Sequence, residues 1–318
     1  KLRQYKEENK LNEFASFLAK VLQKGYLDEY DCRDVYNLCR GINTPLTKIY
    51  LEEVVRLYPD NEEMAGFLAR ELCKSNETRD QAVALVNEMV GVTRKNGAYE
   101  LSSGKHVVYN TLGSFFTVYL SMHKQKELLQ IAPLLLGQYQ KISMQGLIMR
   151  NMISAYLDVD QPQDALNISA KLLALDSADD RNHHSRYRAL RAADQQAEAI
   201  ESLENCIRID STYYDYYSAM AGFICDEHIA RSDVQEKPHA ITEQEREAYA
   251  IPFILYGLYK NPGSYQRTLD FLQRNQFEYT YTRLVKLLQN SASPQEILNS
   301  FDDYSFDYVN YCLAKDII

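Results

Sequence analysis

The sequence predicts an all-α protein in which antiparallel helix pairs repeat along the chain as an α-solenoid, closed by an atypical C-terminal helical cap. Three observations lead there. Two segments, DALNISAKLLALDS (164–177) and EAIESLENCIRIDS (198–211), align without a gap, with Ala165 and Ala199 standing 34 residues apart. Apolar residues recur at helical spacing, as in Met149, Met152, Ile153 and Tyr156. Glycine (12) and proline (8) are scarce in 318 residues, so the chain has little of the punctuation that short strands and tight turns need.

Residues 1–27 are expected to hold an N-terminal helix that ends a truncated repeat. LNEFASFLAKVLQK (11–24) places Leu11, Phe14, Ala15, Leu18, Val21 and Leu22 on one face. The repeat array is expected over 28–228. DVYNLCRG with IYLEEVVRLYPDN forms one pair, and LAREL with QAVALVNEMV a second, with Ala69 and Ala82 in the small positions. LGSFFTVYL with KELLQIAPLLLG forms a third, its second helix expected to bend at Pro133. MRNMISAYL opens the pair that 164–177 closes, and RNHHSRYRALR (181–191) opens the pair that 198–211 closes. Ala165 and Ala199 begin second helices, where a small side chain lets two helices approach at the short end of the usual ~8–10 Å. Thr78…Gln81, Thr242…Glu245 and Ser293…Glu296 have the capping-box pattern, and Pro294 holds a favoured first helical position. Over 229–318 the 34-residue register is lost. IARSDVQEKPHAITEQER (229–246) reads as a loop and a helix start, and the helical segments beyond it as a cap on the last repeat.

The period, the alanine that opens each second helix, and the apolar–Asp step that closes each unit (Leu175–Asp176, Ile209–Asp210) resemble the tetratricopeptide repeat (TPR) family. The family's small residue near the middle of the first helix is replaced by Ile153 and Tyr187, so the repeats are degenerate. The resemblance implies a right-handed solenoid whose first helices line a concave groove. It also implies a non-enzymatic adaptor or scaffold that binds a peptide segment in that groove. A peptide-sensing regulatory domain of a larger protein, such as a transcriptional regulator, is the alternative reading. An enzyme on a helical-repeat frame is a third.

RNHHSRYRALR concentrates Arg181, Arg186, Arg188 and Arg191 with His183 and His184, and holds no acid, in a chain of net charge −9. Arg181, His184, Arg188 and Arg191 follow i, i+3, i+7 and i+10, which is one helix face. The 34-residue offset pairs His184 with Arg150 of the previous unit. With first helices lining the groove, Arg150, Arg181, His184, Arg188 and Arg191 are the candidate peptide-binding residues. Guanidinium forks in such a wall suit an acidic or carboxylate-ended partner segment. The competing reading is a solvated face neutralised by Glu198, Glu201 and Glu204. STYYDYYSAM (211–220) concentrates tyrosine in a chain with 25 of them and no Trp. Most of these rings are expected to pack between helices, and some to line the groove.

SSGKH (102–106) lacks both the glycine spacing of a phosphate loop and a hydroxyl residue after Lys105. CDEH (225–228) puts Cys225 and His228 one turn apart, with no second pair to complete a zinc set. There is no Gly-x-Ser-x-Gly elbow and no HExxH, and Asp302–Asp303 reads as solvated charge. No catalytic residue, cofactor or metal is expected. The acidic balance argues against nucleic-acid binding. Asn76 and Asn167 head glycosylation patterns, the second inside a predicted helix. The six dispersed cysteines read as buried, reduced thiols. No apolar run approaches the ~18 residues of a membrane span. A cytoplasmic protein is therefore expected, with an upstream signal or domain left open because the first residue is Lys1 rather than Met. A homodimer through exposed solenoid ends is also open.

Overall fold

The computed structural model describes residues 1–40, 42, 44–102, 105–235 and 237–314, and among these the chain is helical apart from two small hairpins and short 3-10 turns. It divides into two compact units, Lys1–Val159 and Asp160–Ile318. The division falls inside the span expected to be one array.

The first unit begins with α1 (Leu2–Glu7) and α2 (Leu11–Gln23), which buries Phe14, Leu18 and Leu22 at four-residue spacing. Helix pairs follow: α3 (Cys32–Arg40) with α4 (Thr44–Leu57), and α5 (Glu62–Leu72) with α6 (Arg79–Val90). A hairpin of β1 (Val92–Lys95) and β2 (Ala98–Leu101) then intervenes before α7 (Tyr109–Ser121), α8 (Gln125–Gln138) and α9 (Ile142–Asp158). The hairpin is a feature that periodicity did not reveal. Its turn, Asn96–Gly97, has φ of 51° and 87°, the doubly left-handed geometry of a type I′ turn that this dipeptide favours. Helix α8 runs through Pro133 as one element. Of SSGKH, Ser103 and Gly104 lie outside the described residues, and the Lys105 ammonium donates to the Glu88 carbonyl in α6.

The second unit holds α10 (Pro162–Leu175), α11 (Asp180–Ala192), α12 (Gln196–Ile209) and α13 (Tyr214–Glu227). The short strands β3 (Ile229–Ala230) and β4 (His239–Ala240) lead to α14 (Glu243–Lys260). The chain ends in α15 (Tyr265–Arg274), α16 (Glu278–Gln289), α17 (Pro294–Asn299) and α18 (Asp307–Ala314). Ala165 and Ala199 are fully buried, as close helix approach requires. α13 packs along α14, where Gly257 lies so close to Tyr214 and Tyr217 that a Cβ would stand 2.9 Å from the Tyr217 Cβ. In the tyrosine-rich stretch Tyr214, Tyr216 and Tyr217 are core residues, and Tyr213 is 46% exposed. All six cysteines are buried and free, and burial pushes the Cys39, Cys225 and Cys312 thiols up to about 12.

Scarce glycine does not mean scarce turns. Asn9, His123, Asp194, Gln276 and Ser291 all have φ between 54° and 62° and sit between consecutive helices. At each, the residue itself donates three residues back and the next residue donates five back, for example His123 N to Leu120 O and Lys124 N to Tyr119 O. That pair of bonds is a Schellman closure, built here on polar non-glycine residues in the left-handed region. The capping boxes at Thr242–Glu245 and Ser293–Glu296 form in full. The one expected at Thr78 does not: its side chain makes no cap hydrogen bond, and its hydroxyl donates to the Leu72 carbonyl at the end of α5.

Candidate functional site

Helix α11 carries the basic stretch, and the structure supplies the acids that the stretch itself lacks. Asp179 caps the helix by accepting from the Arg181 N–H. The same carboxylate takes the Arg181 guanidinium in a two-point pair at 2.8 and 2.6 Å. Arg191 reaches the last turn of α13, where Nε meets Glu227 at 2.7 Å and Nη2 meets Asp226 at 2.9 Å, and its guanidinium lies 5.8 Å from the Phe223 ring centre. Burial works against the Arg191 charge, yet these carboxylates and the Tyr187 hydroxyl hold its pKa above the usual arginine value. The acidic pair of CDEH is thus the counter-charge of RNHHSRYRALR. Of the glutamates named as neutralisers, Glu204 instead pairs with Arg231 at 3.2 Å.

His184 is half-buried between the rings of Tyr187 and Tyr216, with centroids 5.9 and 5.6 Å away. Burial first, and the Arg188 charge second, lower its pKa, so the imidazole is neutral at pH 7. Arg188 is exposed on the same helix. Arg150 belongs to α9 in the first unit, where it is half-buried and donates to the Tyr109 hydroxyl at 3.2 Å. Of the five expected site residues, Arg181 and Arg191 are therefore engaged in ion pairs that fasten the start of α11 and join α11 to α13.

A second basic locus lies in the first unit, on α3, α5 and α7. Arg33 of α3 pairs with Glu63 of α5 at 3.3 Å, and Asn110 of α7 donates to the same Glu63 oxygen at 2.9 Å. Tyr36 of α3 stacks on Phe67 of α5 with centroids 4.3 Å apart and planes within 9°. These contacts set the three helices around a cavity of about 490 Å³, whose wall includes Arg33, Arg40, Arg70 and Lys74. Lys74 is satisfied by Glu71 at 2.6 Å. Arg40 and Arg70 have no ion pair among the described residues. The Arg70 guanidinium lies over Phe67, 5.7 Å from the ring centre, and its Nε is buried with no hydrogen-bond partner. Desolvation pushes the Arg70 pKa down, and the nearby Arg40 charge adds to that effect. A half-buried cation with an unmet N–H is costly unless an anion completes it.

The repeat period hides this locus. Partners across α3 and α5 are 30 or 31 residues apart (Arg33–Glu63, Tyr36–Phe67), not the 34 of the α10/α12 register. A register of 30, taken from Arg33 and Glu63, would have set Arg40 beside Arg70.

Among the described residues, no three His, Cys, Asp or Glu side chains are grouped to hold a metal ion, and no helix is long and apolar enough to cross a membrane. No protein-family model matches the chain, and no curated protein matches it. Among solved structures the chain is similar to one titled "Structure of Naa15/Naa10 bound to HypK-THB", with a TM-score of 0.41 and 13% sequence identity. The match covers 95% of this chain and 46% of that one, so the chain spans less than half of its neighbour's length. The all-α, helix-pair architecture of this protein rests on its own helices and their closures.

Proposed function

We propose that this chain is a non-enzymatic protein-interaction module, an adaptor or scaffold of TPR-like helix pairs, and that it takes an acidic partner segment in the α3–α5–α7 cavity. The observation that carries the reading is Arg70: a desolvated guanidinium, stacked on Phe67, with a buried Nε that lacks an acceptor. A carboxylate entering the cavity would bring one counter-charge to the guanidinium groups of Arg70 and Arg40 together. The Tyr36–Phe67 stack would offer an apolar shelf to the neighbouring side chain of the segment. The role of α11 in this reading is to hold the second unit together, and Arg188 is one of its exposed basic side chains.

The test is fluorescence anisotropy with a labelled six-residue Asp/Glu peptide and a Lys/Ser peptide as its control. A charge-assisted bond to a desolvated guanidinium is worth about 1.5–3 kcal/mol, so Arg70→Gln should weaken the acidic peptide by about 10–150-fold. Arg188→Gln should leave it within about twofold. Equal binding by wild type and Arg70→Gln, at matched circular dichroism, refutes the assignment.

A further inference from the structure

A second cavity, of about 420 Å³, lies wholly within the second unit between Ser232–Asp233, α14, the turn after α17, and α18. We propose that it binds a small organic cation with an apolar body, such as an aryl or alkyl amine. The site is separate from the α3–α5–α7 cavity and does not depend on the reading given for it.

The chemistry of the walls selects the ligand class. Tyr249, Phe253, Tyr304 and Tyr308 supply aromatic surface. Their hydroxyls are already engaged: Tyr308 donates to Glu204, Tyr304 donates to Glu247 at 2.9 Å, and Tyr249 meets the His239 ring at 3.3 Å. Tyr304 and Tyr308 therefore offer π-faces rather than spare O–H donors, and such faces attract cations. The rim carries Asp233, Glu245 and Asp303. Glu245 is held ionised by the Thr242 N–H and hydroxyl, which lower its pKa. Asp233 is exposed and has no ion pair among the described residues. Asp303 is shared with Arg283 at 2.7 Å.

Cationic and amide donors are missing from the same wall. Its described side chains include no Lys, Arg, His, Asn or Gln, so an anion would find no cationic or amide side chain to bind. Of the two serines, Ser305 donates to Asp307, while Ser232 accepts from the Gln235 N–H and keeps its own O–H. An acceptor is in surplus on the α14 side. Pro252 has no N–H to give the Ala248 carbonyl its helical bond, and both residues line the cavity. An ammonium group suits the aromatic faces, the rim carboxylates and the spare carbonyl, whereas a carboxylate or phosphate would face those carboxylates with no cationic side chain on the wall to offset them. The volume suits a single ring or a short chain.

Isothermal titration with phenethylamine, a cation at pH 7.4, and with phenylacetate, the same ring bearing a negative charge, tests the proposal. Phenethylamine should bind saturably, at least about tenfold tighter than phenylacetate. Asp233→Asn/Glu245→Gln keeps the capping side chain as an amide and should weaken phenethylamine about fivefold or more. Ala248 is an exposed lining residue, so Ala248→Phe fills the cavity from its mouth. It should abolish binding while the thermal midpoint stays in place. The proposal is overturned if phenethylamine shows no saturable binding, if phenylacetate binds as well, or if Ala248→Phe binds like wild type.

Discussion

Replacing Glu204 with alanine should be among the most damaging single changes in the second unit, because it strands a buried cation. Glu204 is 1% exposed in α12. One of its oxygens takes Arg231 Nη1 at 3.2 Å and the other takes the Tyr308 hydroxyl of α18. Arg231 has a side chain only 11% exposed, and its Nε is buried without a partner. Burial opposes the Arg231 charge, and Glu204 is the largest influence that sustains it. Removing one partner of a buried ion pair costs about 3–5 kcal/mol, since the other charge stays desolvated. For a cooperative unit the size of Asp160–Ile318, each kcal/mol moves the melting midpoint by about 2–4 °C, so the expected fall is about 6–20 °C. Scanning calorimetry measures it, and only the transition containing α12 should move if the two units melt separately. Glu204→Gln keeps an oxygen for Tyr308 and should lose about 1.5–3 kcal/mol. Glu204→Leu with Arg231→Met removes both charges and should recover most of the alanine loss. A fall under about 2 °C for Glu204→Ala, or a double variant no better than the single, would refute the account.

Acidification should destabilise the protein through His183 and His184. Burial is the largest cause of the lowered pKa of both, and the His183 Nδ1 is buried with no partner while its Nε2 faces the Ser177 carbonyl at 2.9 Å. The unfolded chain then takes up more protons than the folded one as pH falls through the ordinary histidine value of 6.5. Stability from this source is therefore full above that value and is lost below it. Thermal midpoints recorded from pH 8 to 5 should slope accordingly, and His183→Gln/His184→Gln should flatten the slope. Gln276→Gly should stabilise the α15–α16 turn by about 0.5–1 kcal/mol, because glycine relieves a left-handed φ of 62° at an entropic cost smaller than the strain. An unchanged or lowered urea midpoint would count against it. Gly257→Ala should cost about 1–3 kcal/mol in the same assay by forcing Tyr217 away from α14. A neutral result would mean that α13 and α14 separate without penalty.

Much of the helix order was legible because helical periodicity is local. Residues 11–24, 164–177 and 198–211 became α2, α10 and α12 to within a few residues. Capping signals were legible at Thr242 and Ser293, where the acid three residues on returns the bond, and failed at Thr78, which turns its hydroxyl to a carbonyl six residues back. The Asn96–Gly97 hairpin carried its signal in two letters, and the helical reading of its surroundings passed over it. The polar left-handed turns at His123, Asp194 and Gln276 carried none, because that geometry is imposed by helices packing on either side.

What the sequence by itself determined is the all-α class and where many of the helices lie, since spacing at 3.6 residues per turn depends only on neighbours a few positions away. What the tertiary structure alone decided is which charges matter. The conspicuous run of arginine in α11 meets acids placed by Asp179 and by α13, the latter 35 and 36 residues further on. Arg70, inconspicuous inside LAREL, is left desolvated on the wall of a cavity and, among the described residues, without an ion pair. Electrostatic cost depends on burial and on the nearest opposite charge in space, and neither can be read from the order of the residues.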